Sequence, residues 1–242
     1  MKKIYSSHFF ILLTISFLFL SGCEKFRCIE GNGIARSEIR ETPAFNGVIS
    51  RGDYDVEIIE DTIFEVYVET DENIQPYIST EVRGGRLILE NETDRCLDTE
   101  FPVFIQIRTP DIHAISLEGS GYMYCSGVFN NILNIDLSGS GKIEVDNIDT
   151  REITATLSGS GEIELWGVAN YSRMDIPGSG TIKAFGLYHD ECVADISGSG
   201  DIYVFVYDIL DVLISGSGNV FFKGNPSIYT DITGSGNIFN SN

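Results

Sequence analysis

From Ile115 onward, apolar and polar positions alternate around a Gly-Ser-Gly triplet that occurs seven times, starting at Gly119, Gly139, Gly159, Gly178, Gly198, Gly216 and Gly234. The spacings are 20, 20, 19, 20, 18 and 18 residues. Two positions before the first glycine stand Leu117, Leu137, Leu157, Ile176, Ile196, Ile214 and Ile232; four before it stand Ile115, Ile135, Ala155, Met174, Ala194, Val212 and Thr230. Four after it come Met123, Ile143, Ile163, Ile182, Ile202, Val220 and Ile238; six after it come Cys125, Val145, Leu165, Ala184, Val204, Phe222 and Asn240. The polar exceptions, Thr230 and Asn240, fall in the last copy, where a terminal repeat must face water. Period-2 alternation on both sides of the triplet predicts strand, corner and strand, then a looser return through Val128, Ile148, Val168 and Leu187.

Strands in one phase that recur about every 20 residues, with no helical patterning between them, must stack in parallel. The expected fold is all-β: a parallel, single-stranded β-helix of about seven rungs over residues 113–242, with right-handed coiling favoured by the handedness of parallel crossovers. Residues 45–112 read as a separate β-rich cap over its open end, with strand-like runs at Tyr54–Ile58, Ile63–Val68, Arg86–Leu89 and Val103–Ile107. A short helical turn is expected over Asp71–Tyr77 and a hairpin at Gly84-Gly85. The triplet reads as a corner, its glycines permitting positive φ and its stacked serines bonding one another. Other readings of it fail: Ile143 stands where a phosphate loop ending Gly139-Ser140-Gly141-Lys142 needs Ser or Thr.

The first 22 residues are an address. Lys2 and Lys3 precede an apolar run from Phe9 to Leu20, a secretory pattern too short for a membrane span. Leu20-Ser21-Gly22-Cys23 resembles the lipobox of bacterial lipoproteins, which implies cleavage before Cys23 and lipid on that residue. Residues 23–44 are then anchor, linker and first strand. The partner implied is a membrane, at the periplasmic or the surface face of the cell envelope, most simply the outer membrane.

Charge narrows the partners further. Acidic side chains number 36 against 16 basic, a net −20. Nucleic acid and anionic lipid surfaces would repel such a chain. The excess is uniform, with −11 in residues 23–112 and −11 in 113–242, so it reads as solvation of a long β surface. Of the remaining cysteines, Cys125 and Cys192 fall in core columns about three rungs apart and read as buried thiols. Cys28 and Cys96 bracket the cap, and a bond between them would staple its start to its end.

Candidate binding chemistry lies on outward positions. Five residues past the first glycine come Tyr203, Phe221 and Phe239; two further on come Trp166, Phe185 and Phe205. Six aromatics would share one exposed stripe, suited to stacking on sugar faces, to a dimer interface, or simply to stabilising the ladder. Asp136, Asp175 and Asp195 form an outward acidic column, a candidate for calcium, and Asp175 with Asp195 would be a carboxylate pair for polysaccharide cleavage. Such cleavage of an acidic substrate wants a basic cluster, and residues 113–242 hold only five Lys or Arg. His189-Asp190-Glu191-Cys192 looks metal-like, but the register turns Cys192 inward; no cofactor is implied. Arg51-Gly52-Asp53 is a tripeptide expected by chance in a few per cent of chains, and Asp61-Thr62-Ile63 resembles an O-glycosylation site of some envelope proteins.

Taken together, Gly31-Asn32-Gly33-Ile34, Phe45-Asn46-Gly47-Val48, Val66–Ile74 and the repeated Leu-Ser-Gly-Ser-Gly resemble the head GIN domain family of lipoproteins, described as auto-transporter adhesins. The resemblance implies a β-helical envelope protein and carries over no catalytic residue. The expected function is binding or adhesion of a glycan or envelope protein on the aromatic stripe, without catalysis. The alternative is a structural protein that uses the stripe to form homo-oligomers.

Overall fold

The computed structural model describes residues 28–242, so the segment expected as a signal sequence and Cys23 lie outside the described residues. Short strands come first: β1 (Ile29–Glu30), β2 (Ala35–Arg40), β3 (Gly47–Ser50), β4 (Asp55–Glu60), β5 (Glu65–Asp71), β6 (Ile78–Arg83), β7 (Arg86–Asn91), β8 (Leu97–Asp98), β9 (Phe104–Thr109) and β10 (Ala114–Leu117). Long ones follow, β11 (Tyr122–Leu137), β12 (Lys142–Leu157), β13 (Glu162–Ile176), β14 (Thr181–Ile196) and β15 (Asp201–Ile214). The last are β16 (Asn219–Gly224), β17 (Ser227–Ile232) and β18 (Ile238–Asn240).

Each long strand begins after one triplet, bends through the return leg and ends before the next. Neighbours pair in parallel, with Met123 opposite Ile143 and Leu137 opposite Leu157. The result is a parallel β-solenoid of about six turns. The seventh triplet, at Gly234, is followed by a strand of only three residues, β18. All four apolar columns point inward and are buried as far as Val220 and Phe222. The return column holds at Val128, Ile148 and Leu187 but not at Val168, which is exposed. That turn is one residue short, and Gly167 takes the place opposite Ile148 at φ +138°.

The triplet glycines owe their identity to stacking, not to φ. Positive φ occurs at Gly33, Gly84, Gly85, Gly127, Gly167, Gly224 and Asn147, none of them in a triplet. A Cβ on Gly159 would stand 1.8 Å from the Gly139 carbonyl oxygen, and one on Gly161 would stand 2.2 Å from that of Gly141. The same clash recurs at every triplet from Gly139 on. Each serine N–H donates to the first glycine's carbonyl one turn below, as from Ser160 to Gly139 at 3.1 Å and from Ser199 to Gly178 at 2.9 Å. The serine side chains face solvent rather than bonding one another.

The ladder continues across residue 112. β10 pairs in parallel with β3 as well as β11, and β4 lies in parallel between β11 and β9. Ser50 sits opposite Leu117 and Asp55 opposite Tyr122, so Arg51-Gly52-Asp53-Tyr54 makes the corner of an additional turn. β7, parallel to β3, and β9 form the turn beneath it. Much of the segment expected as a cap is therefore irregular solenoid. The sealing is done by antiparallel strands: β6 on β7, β5 on β9, and β2 on β5.

Phe45, Ile74 and Ile78 close the core at this end. The helical turn is the 3-10 segment Gln75–Tyr77. Buried Gln75 Nε2 donates to the carbonyls of Arg36 and Val68 at 2.7 and 3.0 Å. Buried Asp71 accepts from the N–H groups of Gly33, Glu100 and Phe101 at 2.8, 2.9 and 3.0 Å, tying two loops to the end of β5. Cys28 and Cys96 are joined in a disulfide, and closing 68 residues this way stabilises by about 4 kcal/mol on chain entropy alone. Cys125 and Cys192 are free and buried, and burial pushes the Cys192 thiol up to about 12.

Stacking at the corner gives a direct test. Gly159→Ala is expected to cost about 3 kcal/mol or more, whereas Ser160→Ala, at an exposed position one residue away, stays within about 0.5 kcal/mol. Urea unfolding followed by circular dichroism reads both.

Candidate functional site

The strands that follow the corner present one continuous outer face whose character changes along the axis. In the middle turns it is an ion network. Lys142 Nζ contacts Glu144, Glu162 at 3.1 Å and Glu164 at 2.9 Å, while Lys183 Nζ contacts Glu162 at 2.5 Å and Glu164 at 3.1 Å. The Tyr122 hydroxyl donates to Glu144 at 2.6 Å and that of Tyr124 to Asp146 at 2.7 Å. Partial burial works against the charge on Glu144 and Glu164, but the lysine hydrogen bonds prevail and hold both below the usual carboxylate range. Hydrogen bonding to Glu144 first, and to Glu164 and Glu162, pushes Lys142 upward. Acids pushed down and bases pushed up are the reverse of what proton transfer at neutral pH requires. This network holds turns together.

Past Lys183 the face becomes aromatic. Tyr203 and Phe221 stack at 4.6 Å and 7°, Phe221 and Phe239 at 5.0 Å and 19°, and Phe185 meets Tyr203 edge-on at 5.4 Å. The parallel register makes this row: Tyr203 lies opposite Phe221, and Phe221 opposite Phe239. The Trp166 ring lies over Gly186, where a Cβ would come within 2.1 Å of its Cδ1. Trp166, Lys183, Phe185, Gly186 and Tyr203 line a shallow groove of about 450 Å³. Lys223 Nζ sits 4.4 Å from the Phe185 centroid, a cation–π contact at the groove's edge.

Five of the six expected aromatics thus lie together; Phe205 does not join their row. The ladder shifts register between Ala184 and Tyr188, which puts Phe205 opposite Tyr188 rather than Phe185. Phe205 packs edge-on against Tyr188 at 5.0 Å and Tyr207 at 5.2 Å, forming a second aromatic cluster on the return leg. Tyr188 and Tyr207 were not among the expected residues. They lie where turn length varies, so counting from the triplet does not place them.

The acidic column is held by an arginine. Asp175 and Asp195 are neighbours, and Arg173 bridges them, with Nη2 at 2.9 Å from Asp175 and 3.2 Å from Asp195. Thr156 separates Asp136 from Asp175. Among the described residues, no three His, Cys, Asp or Glu side chains group closely enough to hold a metal. Arg51 is engaged by Glu90 at 3.1 Å and Glu118 at 2.9 Å, so Arg51-Gly52-Asp53 is a fastened corner. Thr62 of Asp61-Thr62-Ile63 is exposed beside Asp61.

The family described as "Putative auto-transporter adhesin, head GIN domain" matches residues 44–226. A solved structure from Bacteroides fragilis, described as a "putative adhesin", aligns with TM-score 0.83 at 22% identity, covering 88% of this chain and 99% of that one. A "putative lipid binding protein" from Parabacteroides distasonis aligns with TM-score 0.74 at 26% identity, over 88% and 100% of the two chains. A "putative adhesin" from Parabacteroides merdae gives 0.67 at 18%, over 88% and 99%. No curated protein matches the chain.

His189 lies on the return leg of β14, fully buried, with no hydrogen-bond partner at either ring nitrogen among the described residues. Its neighbours in the ladder are Ala169 and Val206. Burial lowers it to about 4, only partly opposed by the charge of Asp190. The folded state therefore resists a proton that the unfolded chain accepts near 6.5. Its contribution is expected to be complete above about pH 6.5 and to fall by about 3 kcal/mol as pH drops to about 4. His189→Leu should remove that part of the acid sensitivity, read as the difference between the two proteins' urea stabilities across this window.

Proposed function

The chain belongs to the head GIN domain family of auto-transporter adhesins, and from that premise we propose that it is a non-catalytic binding protein of the cell envelope. Its aromatic face receives a glycan. The observation that carries this reading is the row Phe185, Tyr203, Phe221 and Phe239 with its Trp166 groove, on a chain whose net charge is −20. The apolar faces of sugar rings stack on aromatic rings. Asn219 and Asp201, which hydrogen-bond each other beside Tyr203 and Phe221, together with Lys183 offer polar groups for hydroxyls at the edge of that row. The family's adhesin-like character supports an envelope or surface location. The finer part of the proposal is a lipid on Cys23 that holds the chain to the membrane.

The second reading keeps the surface and changes the occupant: the rings assemble this chain with an envelope protein. It is favoured by Phe239, which ends the row in a half-open position on the last turn. A lipid ligand, in the manner of the Parabacteroides distasonis relative's description, would need the rings without their polar edge.

Two outcomes are expected. The chain from residue 24 should bind on a glycan array, and Phe221→Ser with Phe239→Ser should abolish that binding while leaving the melting transition in place. Unchanged binding by the variant refutes the aromatic site, and rings that retain only lipid or protein redirect it. Cys23→Ser in the full chain should move the protein from the membrane fraction to the soluble one; retention in the membrane refutes the anchor.

A further inference from the structure

The outer face that follows the corner already holds ammonium groups in two ways. Lys142 Nζ stands among Glu144, Glu162 and Glu164, and Lys183 Nζ between Glu162 and Glu164. Lys223 Nζ lies instead over the Phe185 ring, 4.4 Å from its centroid. Lower on the same face, Asp55 and Glu57 of β4 stand in the columns of the ion network. Asp55, Tyr122, Lys142 and Glu162 form one column, and Glu57, Tyr124, Glu144 and Glu164 the other. Yet neither Asp55 nor Glu57 has an ion-pair partner among the described residues, because Lys142 is engaged by the glutamates. Glu57 accepts an amide N–H from Gln106 at 2.6 Å, which brings no charge.

Rings stand where a cation would be expected. Phe104 and Tyr122 lie opposite Asp55 on the turns below and above it, and Tyr124 lies opposite Glu57 on the turn above. Phe104 and Tyr122 are thus two ladder spacings apart, about 9.6 Å, with only the short, exposed Asp55 between them. The space left is a groove of about 480 Å³ lined by Asp55, Glu57, Phe104, Tyr122 and Tyr124. The tyrosine hydroxyls are already engaged, donating to Glu144 at 2.6 Å and to Asp146 at 2.7 Å. What the groove offers a ligand is therefore ring and carboxylate.

We propose that this groove binds the primary ammonium group of a small organic cation, an alkyl amine or an amino sugar. The ammonium N–H groups donate to Asp55 and Glu57, and the carbon stem lies between Phe104 and Tyr122 with its charge against the rings. Charge selects the ligand, since a net −20 gathers cations and repels anions. The rings select an organic cation over a metal ion, because they cannot supply the oxygen ligands that calcium or magnesium takes in place of water. Four turns separate Tyr124 from Tyr203 in the same column, so this site is distinct from the proposed glycan row.

Calorimetric titration of the chain from residue 24 with 1,4-diaminobutane and with glucosamine, at constant ionic strength, tests this. At least one amine should saturate with a dissociation constant of about 1 mM or below, and the tighter of the two identifies the stem. N-acetylglucosamine, which lacks the charge, should not bind. Asp55→Asn with Glu57→Gln should weaken binding about tenfold or more. Phe104→Leu with Tyr122→Leu should weaken it about as much with both carboxylates in place, and Tyr122→Phe should retain it, all with the wild-type circular dichroism. Asp208→Asn with Asp231→Asn, an equal loss of charge at exposed positions outside the groove, should bind as the wild type does, as should Phe221→Ser with Phe239→Ser. Absence of saturable binding of either amine up to about 10 mM overturns the proposal. So does undiminished binding by the Asn/Gln or the leucine variant, or an equal loss in the Asp208 and Asp231 variant, which would leave only general attraction to an acidic chain.

Discussion

The structure depends on one close approach: the backbone of each corner rests directly on the carbonyl oxygen of the corner beneath. Only a residue without a Cβ fits there, and the serine N–H between the two glycines completes the contact with a hydrogen bond to that carbonyl. Once corners lie at ladder spacing, the strands on either side are forced into parallel register, and inward side chains fall in columns. The core follows from the corner. Leu, Ile, Val, Met and Ala exchange freely within a column because the column is defined by the backbone above and below it.

The same constraint leaves the outer face free. Nothing in the ladder dictates what stands at outward positions, and here the chain varies: an ion network in the middle turns, stacked rings toward the end. Variation also enters where the turn length changes. The short turn at Gly167 expels Val168, and the extra residues between Ala184 and Tyr188 split the aromatics into two groups. Specific surface on a repeat protein comes from such departures, since a perfect repeat would present the same face at every turn.

Reading the chain from its residues recovered the core because triplet spacing and period-2 alternation agree: every apolar member of the four columns is buried through Phe222. The row Tyr203, Phe221, Phe239 was legible for the same reason, as those residues sit a fixed distance from the triplet. Phe205 was not, because the register shift that moves it lies in the return leg. The additional turn was hidden for a different cause. At its corner Gly-Asp-Tyr replaces Gly-Ser-Gly, and Tyr54 stands in a glycine column at the one place where the chain beneath has swung away into the loop before Val103. Its hydroxyl reaches Asn91 at 2.6 Å instead. The glycines themselves were located correctly but for the wrong property, since close contact between turns has no signature distinct from turn chemistry in a single chain.

The Cys28–Cys96 bond has a mechanical meaning. Tension arriving from residues before Cys28 crosses that bond and enters the chain at Cys96, beside β8. The strands β2 through β7 lie inside the closed loop and bear none of the load along their length. A pull that would otherwise peel the antiparallel seal from the end of the solenoid, one hydrogen bond at a time, is delivered instead to the turn beneath Arg51–Tyr54 through β9. There the ladder bonds are loaded together, and the sheet resists as a block.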